Sequence, residues 1–156
     1  MVIYTDGACS QNGTWNGGWG ILIVSNGKMI KGIGDYDANT TNNIMELMAF
    51  LQALNYYDKN KKNELEALTI YTDSAYIYNC ITKKWYVKWR QNGWIKGDGH
   101  PVLNQDLWEN ILTFYEKYDI IKIEKVKAHD KNVYNNEVDN IAVTCKISQQ
   151  PYYKEY

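Results

Sequence analysis

The chain has 156 residues, 45% of them hydrophobic, which is enough for one domain with a substantial core. Its 17 Lys and Arg against 18 Asp and Glu give a formal net charge of -1, which excludes a generally basic nucleic-acid-binding protein, so any basic surface must be local. The odd number of cysteines, without CxxC spacing, argues against a disulfide framework and a zinc site and favours a reducing compartment, so we expect the protein in the cytoplasm.

The first half of the chain predicts three antiparallel strands and then a helix. Val2 to Asp6 and Trp19 to Val24 are β-rich, and the turn at residues 25–27 leads into a third strand, Lys28 to Tyr36. Apolar residues at helical spacing predict a helix from Asn43 to about Asp58. Leu68 to Asp73 is then a fourth strand, parallel to a neighbour because a helix crossover precedes it.

The second half begins with a short helix from Ser74. Residues 83–104 carry three tryptophans and five Lys or Arg and are predicted to form a helix and loop standing off the core. A helix around residues 107–115, a fifth strand from Ile120 to Val126 and a helix from Glu137 to about Lys146 complete an α/β domain with a mixed five-stranded sheet. We assign residues 1–147 to this domain and expect the tail, residues 148–156, to be frayed. The longest apolar run, residues 20–24, is too short to cross a membrane, and we expect a monomer.

Two Tyr-Thr-Asp runs end on small residues, YTDG at residues 4–7 and YTDS at 71–74. If their strands are parallel neighbours in register, Asp6 and Asp73 lie on one face about 5 Å apart, one strand spacing. Two carboxylates that close oppose each other's ionisation unless a cation lies between them, and oxygen ligands of this kind suit magnesium. Gly7 and Ser74 would leave room for an approaching ligand.

Each acidic residue also has a purely structural interpretation. Asp6 precedes glycine, a common turn pair, and Asp73 could cap the following helix. Glu46 and Asp139 each follow an asparagine by three residues, which is capping-box spacing. These interpretations do not explain why all four acids should converge where an open sheet brings its strand ends together. With two divalent ions about 4 Å apart, the cluster would clamp the attacking and leaving oxygens of a phosphodiester hydrolysis.

His129 lies in a loop ten residues before Asp139. A lone loop histidine is usually a surface residue. Its titration range also suits a proton shuttle at the attacking water or the product phosphate, if the loop folds over the metals.

Ordered motifs along the chain resemble ribonuclease H type I. They are YTDGACSQNG, TTNNIMEL, YTDSAYI, the segment from Trp85 to Trp94 and VKAHDKNVYNNEVD. The resemblance implies a ribonuclease H-like fold and endonucleolytic hydrolysis of the RNA strand of an RNA/DNA hybrid, leaving 5'-phosphate and 3'-hydroxyl ends. It implies two Mg2+ ions, or Mn2+, and the catalytic and metal-binding acids are then Asp6, Glu46, Asp73 and Asp139. His129 matches the family's mobile histidine, and Asn135 the asparagine beyond it.

The resemblance also implies contacts to an RNA/DNA hybrid. Its minor groove shows 2'-hydroxyls of the RNA strand only, and Cys9, Asn12, Asn42, Asn43 and Ser74 lie where the family contacts that groove. Trp85 and Lys88 belong to a segment like the family's basic protrusion, with Trp85 facing a deoxyribose while Trp89 and Trp94 hold the segment together. Thr41 and Asn104 match positions lining the family's pocket for a DNA phosphate.

The chain departs from the family at several positions. The protrusion carries fewer positive charges than in strongly basic members, which predicts weaker and more salt-sensitive binding of the hybrid. Ile44 replaces a basic residue that often follows the asparagine pair, and Lys131 stands where a glycine is often found. Three other interpretations stay open: a binding module without catalysis, a nuclease or integrase acting on DNA, and the ribonuclease domain of a reverse transcriptase.

Overall fold

Strands and helices follow one another along the chain in the order that the sequence predicts, with one strand added at the end. The computed structural model describes residues 1–10, 14–126 and 132–156. Its strands and helices are β1 (Val2–Cys9), β2 (Gly17–Ser25), β3 (Lys28–Asp37), α1 (Asn42–Asn60), β4 (Leu68–Thr72), α2 (Ala75–Thr82), α3 (Trp85–Gln91), α4 (Gln105–Lys117), β5 (Ile121–Lys125), α5 (Val133–Ser148) and β6 (Tyr152–Glu155).

The sheet is mixed and has the order β5-β4-β1-β2-β3-β6. The first three strands are antiparallel neighbours, and β4 and β5 join β1 as parallel strands. The predicted α/β class and strand directions are therefore confirmed. The predicted strand count was wrong, because the described residues form a sheet of six strands rather than five.

The additional strand comes from the tail that was expected to fray. Residues Tyr152 to Glu155 pair antiparallel with β3, with Ile33 opposite Tyr153. The backbone N–H of Tyr156 donates to the carbonyl oxygen of Ile30, and the Tyr156 hydroxyl donates to Oε2 of Glu137 on α5. Pairing with the open edge of β3 satisfies backbone groups of a segment whose own sequence shows no strand pattern.

Helices cover both faces of the sheet. Ile3, Ile21 and Ile23 belong to a core shared with α1 and α4, whereas the alternate residues Tyr4 and Leu22 pack with Val138 and Ile141 of α5. Because successive side chains in a strand point to opposite faces, α1 and α5 lie on opposite sides of β1 and β2. The two helices therefore approach β1, which carries Asp6, from opposite sides.

Glycines in the central strands bring α5 close to the sheet. A Cβ atom on Gly18 would lie 2.3 Å from the carbonyl oxygen of Ala142, and one on Gly20 would lie 2.8 Å from Cγ2 of Ile141. Neither distance is possible for a real side chain, so β2 accepts the helix at these two positions only because they are glycines. The position of α5 depends on this contact.

The tryptophan-rich segment, residues 83–104, contacts the core more closely than predicted. Trp89 of α3 packs edge-to-face on Trp108 of α4, with ring centroids 5.8 Å apart, and Trp94 packs on Trp89. Arg90 forms a bidentate ion pair with Glu116 of α4, at 2.9 and 2.6 Å. The aromatic and ionic contacts tie this segment to α4, which explains why it does not stand off the core. Among the helices of the described residues, none combines the length and apolarity that a membrane span requires.

Candidate active site

The two Tyr-Thr-Asp runs lie side by side in the sheet. β1 and β4 are parallel, with Tyr4 opposite Tyr71, so Asp6 and Asp73 follow at equivalent positions. Beyond this point β4 ends at Thr72, whereas β1 continues alongside β2 as far as Cys9. The predicted end of β1 at Asp6 was therefore wrong, and the two aspartates lie where the neighbouring strands separate.

Helix α1 delivers a third carboxylate to the same place. One carboxylate oxygen from each of Asp6, Glu46 and Asp73 lies within 4.8 Å of the other two. The approach of α1 depends on Gly7, because a Cβ atom there would lie 2.4 Å from the backbone N of Glu46. Gly7 therefore leaves room for a helix rather than for a ligand, contrary to the expectation from sequence.

Asp139 reaches the cluster from the opposite face of the sheet. Its side chain, exposed on α5, lies within hydrogen-bonding reach of Asp6 and raises the pKa of Asp6 and Asp73 through its charge. It is not part of the tight group formed by the other three acids. Asp139 thus lies near the other three acids but outside the tight group that they form.

The helix caps exclude the structural roles that were considered for three of these acids. Thr41 caps α1 by accepting the N–H of Ile44, and Asn132 caps α5 by accepting the N–H groups of Tyr134 and Asn135. Glu46 and Asp139 therefore lie beyond the first turn of their helices, where no capping box forms. Ser74, not Asp73, caps α2.

The carboxylates disfavour one another's ionisation. Burial raises the pKa of Asp6 to about 8, with the charge of Asp73 and the proximity of Asp139 adding to it. The pKa of Glu46 is raised well above its usual range. Burial is the largest cause, and the charges of Asp6 and Asp73 raise it further. The pKa of Asp73 is raised by partial desolvation first and then by Asp139. Raised pKa values in a cluster of buried acids are typical of functional sites.

The cluster has the donor set that a divalent cation requires. All its ligand atoms are carboxylate oxygens, which suit hard cations such as Mg2+. The Oε2 atom of Glu46 is buried and has no hydrogen-bond partner among the described residues. A buried acceptor of this kind needs a partner, and a bound cation would supply one. The residues present therefore fit a divalent metal ion.

Most of the other predicted contact residues lie on the strands and helices that carry the four acids, or next to them. Thr41, Asn42 and Asn43 are exposed at the start of α1, and the Cys9 thiol donates to the Thr40 carbonyl oxygen at 3.5 Å. Ser74 starts α2 directly after Asp73, and Asn135 on α5 has a buried Oδ1 without a hydrogen-bond partner in the described part of the chain. Asn12 and His129 lie outside the described residues.

The remaining predicted contacts lie on the tryptophan-rich segment and at its end. Trp85 and Lys88 are exposed on α3, whereas Trp89 and Trp94 are buried. The expected division, with one outer and two packing tryptophans, is consistent with this burial. Asn104 precedes α4 with a positive φ of 61° and makes no side-chain capping bond.

Asn132 helps to position the acids without belonging to their cluster, and it was not predicted from the sequence. Asn132, which caps α5, also lies within hydrogen-bonding reach of the Tyr4 hydroxyl, and so links the start of α5 to β1. An asparagine before an apolar run is a recognised helix-start signal, but Asn135 and Asn136 offered competing positions.

Comparisons with known proteins agree with this geometry. The family model described as RNase H matches residues 1–146. The curated Ribonuclease H of Caldicellulosiruptor saccharolyticus is 42% identical over 144 residues, which cover 91% of this chain and 92% of that protein. The curated Ribonuclease H of Prosthecochloris aestuarii is 42% identical over 142 residues, again covering 91% and 92%.

Among solved structures, LC9-RNase H1, described as a type 1 RNase H with the type 2 active-site motif, superposes with a TM-score of 0.80. It is 23% identical, and the match covers 99% of this chain and 76% of that one. At this identity the likeness establishes the fold alone.

Proposed function

The chain belongs to the ribonuclease H family, and on that premise we propose that it is an endonuclease that hydrolyses the RNA strand of RNA/DNA hybrids, leaving 5'-phosphate and 3'-hydroxyl ends. The observation that carries this proposal is the convergence of Asp6, Glu46 and Asp73, from two strands and a helix, within 4.8 Å. A binding module without catalysis would gain nothing from three mutually repelling acids at this position.

Asp6, Glu46, Asp73 and Asp139 are the proposed metal ligands, and two Mg2+ ions are the proposed cofactors, with Mn2+ as an alternative. Bound divalent ions would activate the attacking water and stabilise the departing oxyanion. The protein's part is to aim the four carboxylates at one place, where bound cations would favour their ionised form. The backbone N–H of Gly7 donates to Oδ1 of Asp6 at 2.9 Å, which helps to orient that carboxylate.

His129 is the proposed proton carrier, acting at the attacking water or at the product phosphate. The basis is its sequence position between β5 and α5, ten residues before Asp139. Imidazole titrates near neutral pH, which suits a group that both accepts and releases a proton. Asn135 is proposed to contact the substrate, since its unpartnered side-chain oxygen lies on the same helix as Asp139.

The proposed hybrid-binding surface extends in two directions from the acids. Cys9, Asn12, Asn42, Asn43 and Ser74 would contact sugars in the minor groove, where 2'-hydroxyls distinguish RNA from DNA. Trp85 and Lys88 would contact the DNA strand, and Thr41 and Asn104 would bind one of its phosphates. The exposure of Thr41, Asn42 and Asn43 at the start of α1, and of Trp85 and Lys88 on α3, supports this assignment.

The proposed catalytic unit is residues 1–147, and the match of the family model to residues 1–146 supports that boundary. A single chain supplies all four acids, which supports action as a monomer. The free state of Cys9, Cys80 and Cys145 supports a reducing compartment such as the cytoplasm.

A substrate panel tests the proposed function. The purified chain is incubated with a labelled RNA/DNA hybrid, the matching RNA duplex and the matching DNA duplex, with Mg2+ and with EDTA. We expect cleavage of the RNA strand of the hybrid only, and only with Mg2+. Equal cutting of the DNA duplex would contradict the proposal, and so would cleavage that survives EDTA.

A further inference from the structure

Trp15 is the most exposed tryptophan described, with 48% of its surface accessible. Trp19, Trp89, Trp94 and Trp108 are buried to 9% exposure or less. A large aromatic side chain left in water contributes nothing to the core, and an exposed aromatic beside a candidate site is a typical binding residue. The substrate contacts proposed above do not include Trp15 and do not explain its exposure.

The backbone at Trp15 is held in an unfavourable conformation. Its φ angle is 54°, in the left-handed region that bulky residues rarely adopt. Hydrogen bonds fix the residue there: its carbonyl oxygen accepts the N–H of Thr40, and the next carbonyl, that of Asn16, accepts the N–H of Ser10. Strain of this kind persists where the surroundings impose it, and it is concentrated at functional sites.

These hydrogen bonds place Trp15 between two groups of proposed substrate contacts. Ser10 directly follows Cys9, and Thr40 directly precedes Thr41 and the two exposed asparagines at the start of α1. The Cys9 thiol itself contacts the Thr40 carbonyl oxygen. Trp15 therefore lies on the stretch of surface that would face the RNA strand of a bound hybrid.

The net charge of -1 gives the chain no overall positive charge that would attract a phosphate backbone. Arg90 is already engaged by Glu116. Contacts that are not electrostatic add to affinity for a hybrid, and an indole packed on a sugar or base is one such contact.

We propose that Trp15 is a further substrate-binding residue, whose indole packs against a ribose of the RNA strand beside the Cys9 and Asn42 contacts. The inference rests on the proposed function, since it requires that the chain binds hybrids. A ribose is the expected partner because the neighbouring contacts are made to sugars, and a sugar contact is independent of base sequence.

Binding measurements in a cleavage-deficient background, Asp73→Asn, test this inference. The variants are Trp15→Gly, which removes the indole but tolerates the positive φ, and Trp15→Phe, which keeps an aromatic ring. Tyr36→Ala is the matched control, because Tyr36 is another exposed aromatic, 42% accessible, on β3. Affinity for a fluorescent hybrid is measured by anisotropy at several salt concentrations.

We expect Trp15→Gly to weaken hybrid binding about fivefold to a hundredfold, the effect of losing one aromatic contact to a nucleotide. Trp15→Phe and Tyr36→Ala should bind the hybrid with nearly the affinity of the Asp73→Asn parent. The salt dependence should keep its slope, because no charge is lost, whereas Lys88→Ala should reduce it by about 0.9. The loss should be equal for hybrids of two unrelated base sequences.

Unchanged affinity in Trp15→Gly would overturn the inference, and so would a loss that depends on base sequence. If the role of Trp15 were only to shape the loop, glycine would preserve the backbone and the affinity. Failure of the proposed function is distinguishable, because the Asp73→Asn parent would then not bind the hybrid in preference to the DNA duplex.

Discussion

The rings of Tyr4 and Tyr71 stack with their centroids 4.5 Å apart and their planes 7° from parallel. They belong to opposite residues on two parallel strands, and each stands two positions before an acid of the candidate site. Cross-strand aromatic pairs stabilise a sheet and fix its register. The stacked tyrosines therefore help to hold the two strands in the register that places Asp6 and Asp73 side by side.

Replacement of Asp73 by Asn should abolish cleavage and leave the fold intact. The substitution removes one negative charge from a cluster whose members raise one another's pKa, so the metal-free protein should be at least as stable as the parent. Hybrid cleavage with Mg2+ and thermal unfolding with EDTA check the two halves of the prediction. Asp119→Asn, at an exposed residue before β5, is the control and should cleave normally. A near-normal rate in Asp73→Asn would contradict the metal-ligand assignment.

The metal-free protein should lose stability as the pH rises. The folded-state pKa of Asp6 is about 8, above its ordinary value of 3.8, so its contribution to the free energy of unfolding is present below about pH 4 and is lost as the pH passes through about 8. The pKa values of Glu46 and Asp73 are raised in the same direction. The unfolding temperature in EDTA should therefore fall between pH 5 and pH 9.

Addition of Mg2+ should reverse this trend, because a cation binds the ionised carboxylates of the folded state. The gap between unfolding temperatures with and without Mg2+ should widen towards pH 9. Asp6→Asn should flatten the pH dependence in EDTA and narrow that gap. An Mg2+ effect that is equal at pH 5 and pH 9 would argue against ion binding at this cluster.

Substitution of Gly7 by Ala should damage both stability and metal binding. The added Cβ atom would lie 2.4 Å from the backbone of Met45 and Glu46, so α1 must move away from β1. Overpacking against backbone should cost about 3 kcal/mol in the free energy of unfolding. Because Glu46 moves with α1, the Mg2+ concentration for half-maximal cleavage should also rise.

Gly97→Ala is the control for that substitution, since nothing lies within 4 Å of a Cβ atom there. It should leave denaturant unfolding and the Mg2+ requirement unchanged. If Gly7→Ala were destabilised but kept a normal Mg2+ requirement, the position of α1 would not govern the metal site.

Replacement by alanine should mainly lower stability at Trp89 and mainly weaken hybrid binding at Trp85. Trp89 is buried between Trp94 and Trp108, so its loss should cost about 3–5 kcal/mol in the free energy of unfolding. Trp85 is 37% exposed, and its loss should weaken hybrid binding about fivefold or more with a much smaller loss of stability. Denaturant unfolding and hybrid titration separate the two effects. Equal stability losses would show that Trp85 is a packing residue as well.

Sequence patterns predicted the parts of this molecule that depend on local periodicity. Strand alternation and the repeated Tyr-Thr-Asp run were enough to bring Asp6 next to Asp73, because register follows from the shared pattern. The start of α5 was misplaced by four residues, since Asn132, Asn135 and Asn136 offer equivalent capping chemistry. Contacts with the rest of the fold, rather than the local sequence, select Asn132 as the cap of α5.

Features that depend on contacts between distant segments could not be predicted in the same way. The need for glycine at position 7 arises from α1, some forty residues later. The strand β6 forms because β3 leaves an edge to pair with, and no local signal in the last six residues announces it.

The tyrosines of the C-terminal segment should differ in their contribution to stability. Tyr156 directly follows β6 at the edge of the sheet. Its hydroxyl donates at 2.9 Å to Glu137 of α5, a helix that packs on one face of that sheet. The Tyr153 hydroxyl donates at 2.8 Å to Glu155 within β6 and lies within hydrogen-bonding reach of Lys31 on β3, with Tyr153 and Glu155 both exposed. Loss of a hydrogen bond that joins separate elements should cost about 1 kcal/mol, whereas loss of an exposed local one should change little.

Tyr156→Phe should therefore lower the free energy of unfolding by about 1 kcal/mol in a denaturant titration, and Tyr153→Phe, the matched control, by less than about 0.5 kcal/mol. Both variants keep the aromatic ring, so the comparison isolates the two hydroxyl groups. The double variant Tyr156→Phe with Glu137→Gln should be no less stable than Tyr156→Phe alone, because the two groups act through one contact. Equal effects of the two single variants would mean that β6 is held by its pairing with β3 alone, without help from α5.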